Sequence, residues 1–181
     1  MSRLASISSG PIKAALAATT HSAHVFAATG GATATVQTTG AIVGCFGGVT
    51  RSRAALSAQS LAPTHDIFGQ ANASLYAQPA NSTVYYVLGV NAAGTVAVVQ
   101  GTFAGQNLVP PATAGVGALA QAGTSFVGDG SIPSLPDGYA PFGLLKIVTG
   151  AATFTPGTTN LNASNVTPTF WDIGLIPEGR P

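Results

Sequence analysis

Most of the chain after residue 20 consists of short runs of small and β-branched residues, interrupted by glycine and threonine. The runs AHVFAAT, ATATVQTT and AIVGCFGG each have the length of one strand. ATATVQTT alternates small apolar with polar residues, as a half-buried strand does. Two more apolar runs, FGLLKIVTG and VTPTFWDIGLI, follow towards the end of the chain. The pattern therefore predicts strands in preference to helices.

The clearest pair of strands lies at residues 82–103, STVYYVLGVNAAGTVAVVQGTF. Two apolar runs flank Asn-Ala-Ala-Gly at residues 91–94, and a turn of this length with Asn and Gly at its ends is typical of a β-hairpin. Several short strands with frequent turns favour an all-β fold, either a β-sandwich or a jelly-roll-like barrel with long loops and little helix. An intertwined trimeric fibre is the alternative.

Three segments lie outside this pattern of strands. Residues 1–20 predict an N-terminal arm or a short helix that begins near Pro11, and residues 21–181 a single β domain. TRSRAALSAQSL at residues 50–61 is the best helix candidate, because Thr or Ser could cap it and alanine and leucine favour helices. Residues 104–130 are rich in glycine, alanine and proline and predict a long loop over a neighbouring subunit.

The segment IPSLPDGYAPFGLLKIVTG, residues 132–150, contains three prolines before its apolar run. Each proline fixes φ and lacks a backbone N–H donor, so the proline-rich part is not expected in a central strand. We predict a rigid, extended approach that turns at Asp137-Gly138 and delivers residues 142–149 into the sheet. A stiff segment loses little entropy on ordering, so it is also a candidate contact element for a partner.

Charge is scarce in this chain of 181 residues, whose length suits one domain. Charged residues make up 6% of it, where an ordinary domain has about 25%. Because charge normally keeps copies of a protein apart, we expect partners to cover much of the surface. Residues 1–65 hold Arg3, Lys13, Arg51 and Arg53 and no acid, which favours an acidic neighbour. Nucleic acid is not expected as a partner, since its binding needs clustered cations.

The first residues lack the apolar core of a secretory signal, and the sequence contains no apolar run of about 18 residues. We therefore expect no membrane partner. The chain is expected to be made in a cytoplasm, and to remain there or to leave inside an assembly.

Candidate metal-binding or nucleophilic side chains are few. Cys45 lies between apolar residues in a predicted strand, which favours a small core residue over a nucleophile, and a single cysteine excludes an internal disulfide. His21 and His24 are three residues apart but have no further ligand nearby, so surface or packing histidines are favoured over a metal site.

The acidic residues do not indicate catalysis either. His65 and Asp66 supply two members of a hydrolytic triad, but no nucleophile motif accompanies them. Asp129 and Asp137 each precede glycine, a position typical of turns. The sequence therefore predicts no catalytic site, no metal and no cofactor.

The large aromatic side chains stand out in a chain dominated by alanine and valine, and we expect them in the core or between subunits. They are Tyr85, Tyr86, Tyr139, Phe142, Phe154, Phe170 and Trp171. Neighbouring residues of a strand point to opposite faces, so either Phe170 or Trp171 must face away from the core. The expected partner-contact residues are Arg51, Arg53, Tyr139, Phe142 and Trp171.

The ordered set formed by the hairpin, then IPSLPDGYAPFGLLKIVTGAATFTPGTT and then VTPTFWDIGLIPE resembles virion proteins of tailed phages and prophages. In that family a hairpin precedes a segment like IPxLPxGYxPxG, a strand, a turn like FTPGTT and a closing strand. The sequence is similar to head decoration (cement) proteins and to head or tail fibre modules. The resemblance covers about residues 80–178 and does not extend to the first 75 residues.

This resemblance implies a non-enzymatic structural protein without cofactor or catalytic residues. The leading expectation is a capsid decoration protein on the virion surface. It would bind the outside of the major capsid protein lattice, as a homotrimer, and stabilise it. The alternative is a tail or fibre component that binds a host glycan. An enzyme such as a depolymerase is disfavoured by the small number of acids.

Overall fold

The strands of this fold are short and their sheets antiparallel. The computed structural model describes residues 18–20, 24–31, 33–46, 49–67, 71, 77–103, 106–108, 119–121 and 130–173. In these residues the strands are β1 (Ala18–Thr20), β2 (Phe26–Ala28), β3 (Thr35–Thr38), β4 (Ile42–Phe46), β5 (Val49–Arg53), β6 (Gln59–Ser60), β7 (Thr83–Asn91), β8 (Val96–Gln100), β9 (Gln106–Leu108), β10 (Leu119–Gln121), β11 (Tyr139–Thr149) and β12 (Val166–Asp172). The described residues contain no helix.

The main sheet has four strands in the order β12-β11-β7-β8. The predicted hairpin is confirmed as β7 and β8, and its turn explains the Asn and Gly of the sequence. The Asn91 side chain accepts the backbone N–H groups of Ala93 and Thr95 at 3.0 and 2.9 Å. Gly94 has φ of 83°, a conformation that glycine adopts without strain. The turn is therefore closed by the two residue types that marked it.

Two three-stranded sheets, ordered β1-β4-β5 and β2-β3-β6, accompany the main sheet, and β9 pairs with β10. One apolar cluster joins Phe26, Val36 and Ile42 of β2, β3 and β4 to the inner face of the main sheet. Alternate residues of the central strands supply that inner face, among them Leu145 and Ile147, which are completely buried. The predicted all-β class is confirmed, and its packed antiparallel sheets are sandwich-like.

Both edges of the main sheet are modified. At β8, Thr64 N–H donates to the Val98 carbonyl at 2.9 Å, and its hydroxyl accepts the Val98 N–H at 2.9 Å. Just after β12, the Ile173 N–H donates to the Phe142 carbonyl of β11. Backbone N–H groups alternate in direction along a strand, so every second N–H of β12, counted back from Ile173, also faces β11 and those between them face outwards. Pro168 lies at an outward position of that alternation. The outer edge of β12 therefore lacks one donor that a further strand needs.

The proline-rich approach lies against this chain's own sheet. Gly138 turns the chain with φ of 82°, and β11 begins at Tyr139, as predicted to within three residues. Before the turn, Pro133 is buried, and Leu135 reaches the β7 backbone at Gly89. The expectation of a partner-facing element is therefore corrected for these two side chains, because they cover β7 and β8.

Pro141 also departs from the expectation, because it lies within β11, an inner strand of the main sheet. The register of β11 against β7 shifts between Pro141 and Gly143, and β12 pairs with β11 only from Gly143 onwards. Pro141 thus lies beside the bulge, opposite Gly89 of β7, at a position of β11 that has no partner in β12.

The helix predicted at residues 50–61 is wrong. Its first residues form β5, which pairs antiparallel with β4, and Gln59–Ser60 form β6. Between them, Leu56 is buried and exchanges hydrogen bonds with Thr38, whose N–H donates to the Leu56 carbonyl at 3.0 Å and whose hydroxyl accepts the Leu56 N–H at 3.0 Å. Pairing with neighbouring strands therefore overrides the helical preference of the alanines.

Other predictions have mixed outcomes. Ala18–Thr20, the end of the predicted arm, pair with β4 as β1, so the chain is already in a sheet there. Within residues 104–130, β9 and β10 replace part of the predicted loop. Cys45 is half-buried and lies outside the core cluster, so the core assignment is corrected. Residues 1–17, His21, Asp129 and the tail from residue 174 lie outside the described residues.

His24 is the packing histidine that the sequence favoured, since its side chain is completely buried. Its Nε2 contacts the Phe142 carbonyl oxygen, and its ring packs edge-on against the Phe142 ring with centroids 5.7 Å apart. Asp172 Oδ1 lies 4.0 Å from the same nitrogen and accepts the Phe26 N–H at 2.5 Å. These contacts tie β2 to the end of β12.

A buried polar group, Tyr86, crosses the core. Gln78, also buried, donates to the carbonyls of Ser82 and Ile147 at 3.1 and 3.0 Å, and its Oε1 lies 3.5 Å from the Tyr86 hydroxyl. Burial raises the pKa of the Tyr86 phenol well above its usual value of about 10. The folded protein therefore holds this proton at a pH where the unfolded chain releases it.

We expect the free energy of unfolding to fall as the pH rises above about 10, because the unfolded state then binds fewer protons than the folded state. Below that pH, Tyr86 is protonated in both states and adds no pH dependence. Urea unfolding at pH 8 and pH 11 measures the decline, which Tyr86→Phe should reduce. Tyr85→Phe, a half-buried control on the opposite face, should preserve it. An equally steep decline in Tyr86→Phe would assign it to other groups.

Candidate functional site

Two of the predicted contact residues, Arg51 and Arg53, lie together on β5. β5 is the outer strand of its sheet, and its residues are exposed except for the half-buried Arg53. Residues two apart on a strand point to the same face, so both guanidinium groups lie on one side of β5. That side faces a groove of about 300 Å³, in which both arginines are lining residues.

We call this space the basic groove. Ile42, Phe46, Arg51 and Arg53 line one side, and residues 90–94 of the β7–β8 turn line the other. The β4–β5 register explains the first side, because Ile42 pairs with Arg53 and Phe46 with Val49. Directly paired residues of antiparallel strands share a face, so apolar and basic side chains lie next to one another.

The charged side chains that line the basic groove are all positive. Neither the Arg51 nor the Arg53 guanidinium has a hydrogen bond or ion pair with any residue in the part of the chain that the structure describes. The lining contains no carboxylate, and its only polar side chains besides the arginines are Ser52 and Asn91. Asn91 already accepts two N–H groups of its own turn. The groove thus offers donors and positive charge without a carboxylate among its lining residues to neutralise them.

Gly94 keeps the end of the groove open for Arg53. A Cβ atom at this glycine would lie 3.2 Å from Nη1 of Arg53, closer than an ordinary van der Waals contact. The guanidinium of Arg53 therefore lies close to the turn, at a position where glycine leaves room for it. Sequence patterns identified this turn and both arginines, but contained no signal that the two segments would meet.

Phe142 is not a partner contact. Its side chain is completely buried among the protein's own residues, with the rings of His24 and Phe26 edge-on to it at 5.7 and 6.0 Å. The prediction is corrected because the bulge before Gly143 turns this residue towards the core. Phe142 therefore stabilises the fold and presents no side chain to another molecule.

Tyr139 is half-buried and lies at the start of β11, where it pairs with Asn91 of the groove turn. Its ring packs against that of His65, with the centroids 5.5 Å apart. His65 Nδ1 lies 2.9 Å from the Thr64 hydroxyl. Tyr139 thus borders the turn of the basic groove without lining the groove.

Trp171 lies on the outer face of the main sheet. Phe170 packs against the core, so the expected opposition of these two neighbours is confirmed, and Trp171 remains 42% exposed. It pairs with Leu144 across the β11–β12 ladder. Nearby on β11, Lys146 Nζ lies 5.6 Å from the centroid of the Tyr85 ring. This outer face is a second surface, formed by other strands than those of the basic groove.

The described residues form no cluster of metal-binding side chains. Among them, no three histidine, cysteine, aspartate or glutamate side chains come close enough together to hold a metal ion. The same residues include no helix with the length and apolar character needed to span a membrane. The basic groove is therefore the best-defined candidate site in this part of the chain.

Comparison with protein-family models, with curated proteins and with solved structures found no match to this chain.

Proposed function

We propose that this protein is a non-enzymatic structural protein of a tailed-phage virion, a decoration protein that binds the outside of the capsid lattice. The observation that carries the proposal is the basic groove. It holds two arginines without partners among the described residues, on an exposed outer strand of a chain that is only 6% charged. The resemblance of residues 80–178 to phage virion proteins supplies the biological setting.

The physical basis is association by many weak contacts. A sandwich with little charge experiences little electrostatic repulsion from crowded neighbours, which suits a protein repeated over a lattice. Such a protein, as a homotrimer, would contact several copies of the major capsid protein and raise the free energy needed to separate them. Arg51 and Arg53 would orient it on an acidic surface, since complementary charge sets the register of an interface.

The test is the position of the chain in particles whose genome encodes it. We expect it in purified particles, as density on the outer capsid surface around points of threefold symmetry. Washing the particles in 0.5 M NaCl should release it more readily than washing in 0.05 M NaCl, because salt screens exposed charges. Absence of the chain from purified particles would overturn the proposal.

A tail or fibre component that binds a host glycan is the second candidate, and exposed Trp171 favours it. An indole on a sheet face, beside the half-buried Leu144, is a surface on which a sugar ring can stack. Density at the tail, together with glycan-dependent quenching of the fluorescence of this sole tryptophan, would favour this candidate over capsid decoration.

A further inference from the structure

We propose that the basic groove binds one carboxylate side chain on an extended segment of a partner protein, with the carboxylate between Arg51 and Arg53. The inference deepens the proposed capsid function and rests on it for the identity of the protein that supplies the segment. The binding chemistry itself rests on the groove.

The two guanidinium groups account for the choice of a carboxylate. Each guanidinium has five N–H donors in a planar fork, and a carboxylate can accept such a fork with both oxygens. Nη1 of Arg53 lies close to the turn at Gly94. An incoming carboxylate therefore meets one half-buried donor group, on Arg53, and one exposed donor group, on Arg51.

The apolar lining favours a peptide over a polyanion. Phe46, which is half-buried, lines the same groove as the arginines, whereas Ile42 and Val90 are almost completely buried there. A ligand that offers apolar surface next to its charge can therefore contact Phe46. An acidic residue flanked by valine or leucine in an extended segment does this. Nucleic acid binding draws on clustered lysine and arginine along the phosphate backbone, and this groove contains only two cations.

The size of the groove sets the length of the bound segment. A volume of about 300 Å³ is at the lower end of the range for small-molecule pockets. It holds one acidic side chain and the apolar surface beside it, and the rest of the segment would lie across exposed β5. The ligand class is therefore a short acidic-apolar peptide in an extended conformation.

The experiment compares two peptides, acetyl-Val-Glu-Val-amide and acetyl-Val-Gln-Val-amide, in NMR titrations of the ¹⁵N-labelled full chain at low salt. We expect the glutamate peptide to shift the amide signals of residues 51–53 and 91–94. The glutamine peptide should bind at least about tenfold more weakly, since its neutral amide cannot form charge-assisted hydrogen bonds with both guanidinium groups. Equal binding of the two peptides would overturn the proposal.

Variants locate the site. Arg51→Gln and Arg53→Gln should each weaken glutamate-peptide binding by roughly tenfold, because each removes one charged donor group. Lys146→Gln, which removes the same charge from the outer face of the main sheet, is the matched control and should leave binding unchanged. Unchanged amide spectra outside the groove would establish that the variants are folded. A loss as large in Lys146→Gln would indicate attraction by overall charge and overturn the assignment.

Particle binding separates this inference from the proposed function. If Arg51→Gln and Arg53→Gln still bind capsids as the wild type does, the groove assignment is wrong and the decoration function stands. If the glutamate peptide binds but the chain is absent from particles, the groove chemistry stands and the capsid function is wrong.

Discussion

Replacing Phe142 by alanine is expected to lower the free energy of unfolding by about 3–5 kcal/mol. Phe142 is completely buried, and the rings of His24 and Phe26 pack edge-on against it. Truncation would leave a cavity between β11, β2 and the His24 side chain, which precedes β2. Small domains are stable by about 5–15 kcal/mol, so this single change would remove a large part of the total.

Urea unfolding followed by circular dichroism measures the effect, with Ile132→Ala as the control. Ile132 is 60% exposed, so its truncation should change stability by no more than about 0.5 kcal/mol. The comparison also separates the two roles considered for Phe142. A contact residue would affect partner binding and leave the isolated protein stable, so a loss below about 1 kcal/mol would contradict the core assignment.

Replacing Gly101 by alanine is expected to destabilise the protein by roughly 3 kcal/mol, the upper end of the usual cost of overpacking. A Cβ atom at this position would lie 2.1 Å from the Ser131 carbonyl oxygen and 3.0 Å from Cδ of Pro133. Pro133 belongs to the proline-rich approach and Ser131 directly precedes it, and the Ser131 contact is with backbone, which cannot rotate aside. The approach would have to leave the sheet to make room.

Hydrogen exchange can observe this displacement directly. The Ser131 N–H donates to the Thr102 carbonyl at 3.1 Å, so its amide should exchange faster in Gly101→Ala than in the wild type. Gly30→Ala is the matched control, because a Cβ there would meet nothing within 4 Å. Equal stability and exchange in the two variants would show that the approach does not depend on close contact at Gly101.

The sequence predicted the strands well wherever β-branched and aromatic residues form continuous runs. The β7–β8 hairpin is the clearest case, because Asn91 and Gly94 determine their turn through local chemistry that neighbouring residues do not alter. Turns that are determined by such local interactions can be predicted from the sequence, because tertiary contacts do not change them. The alternation that placed Trp171 opposite Phe170 is equally local, since it follows from the pleat of one strand.

Predictions failed where tertiary contacts decide the structure. Ala54, Ala55 and Leu56 favour a helix in isolation, but Leu56 gains burial and two hydrogen bonds with Thr38 in an extended conformation. Phe142 lies in an apolar run that suits either a core or an interface, and only the bulge at Pro141 decides between them. Neither outcome can be deduced from the residues within a few positions.

The candidate site shows the same division. Arg51 and Arg53 were identifiable because the first 65 residues lack acids. The groove they line could not be predicted, since its other side comes from residues 90–94, nearly forty positions away. No pattern in a single sequence indicates that a loop end will pack against a given strand. The two arginines were therefore predictable as contact residues, but the groove that they line was not.

The modified edges of the sheets have a consequence for how copies of this chain avoid polymerising. Coulomb repulsion contributes little in a protein with a formal charge of +1, so backbone geometry must contribute more. Thr64 occupies the Val98 hydrogen-bonding groups of β8, and Pro168 removes an outward donor from β12. On β5, Arg51 and Arg53 would repel the same two arginines of a second copy and attract an acidic segment of a different protein. The two charges that would disfavour pairing of β5 with a second copy are therefore the same two that would attract the acidic segment proposed for the groove.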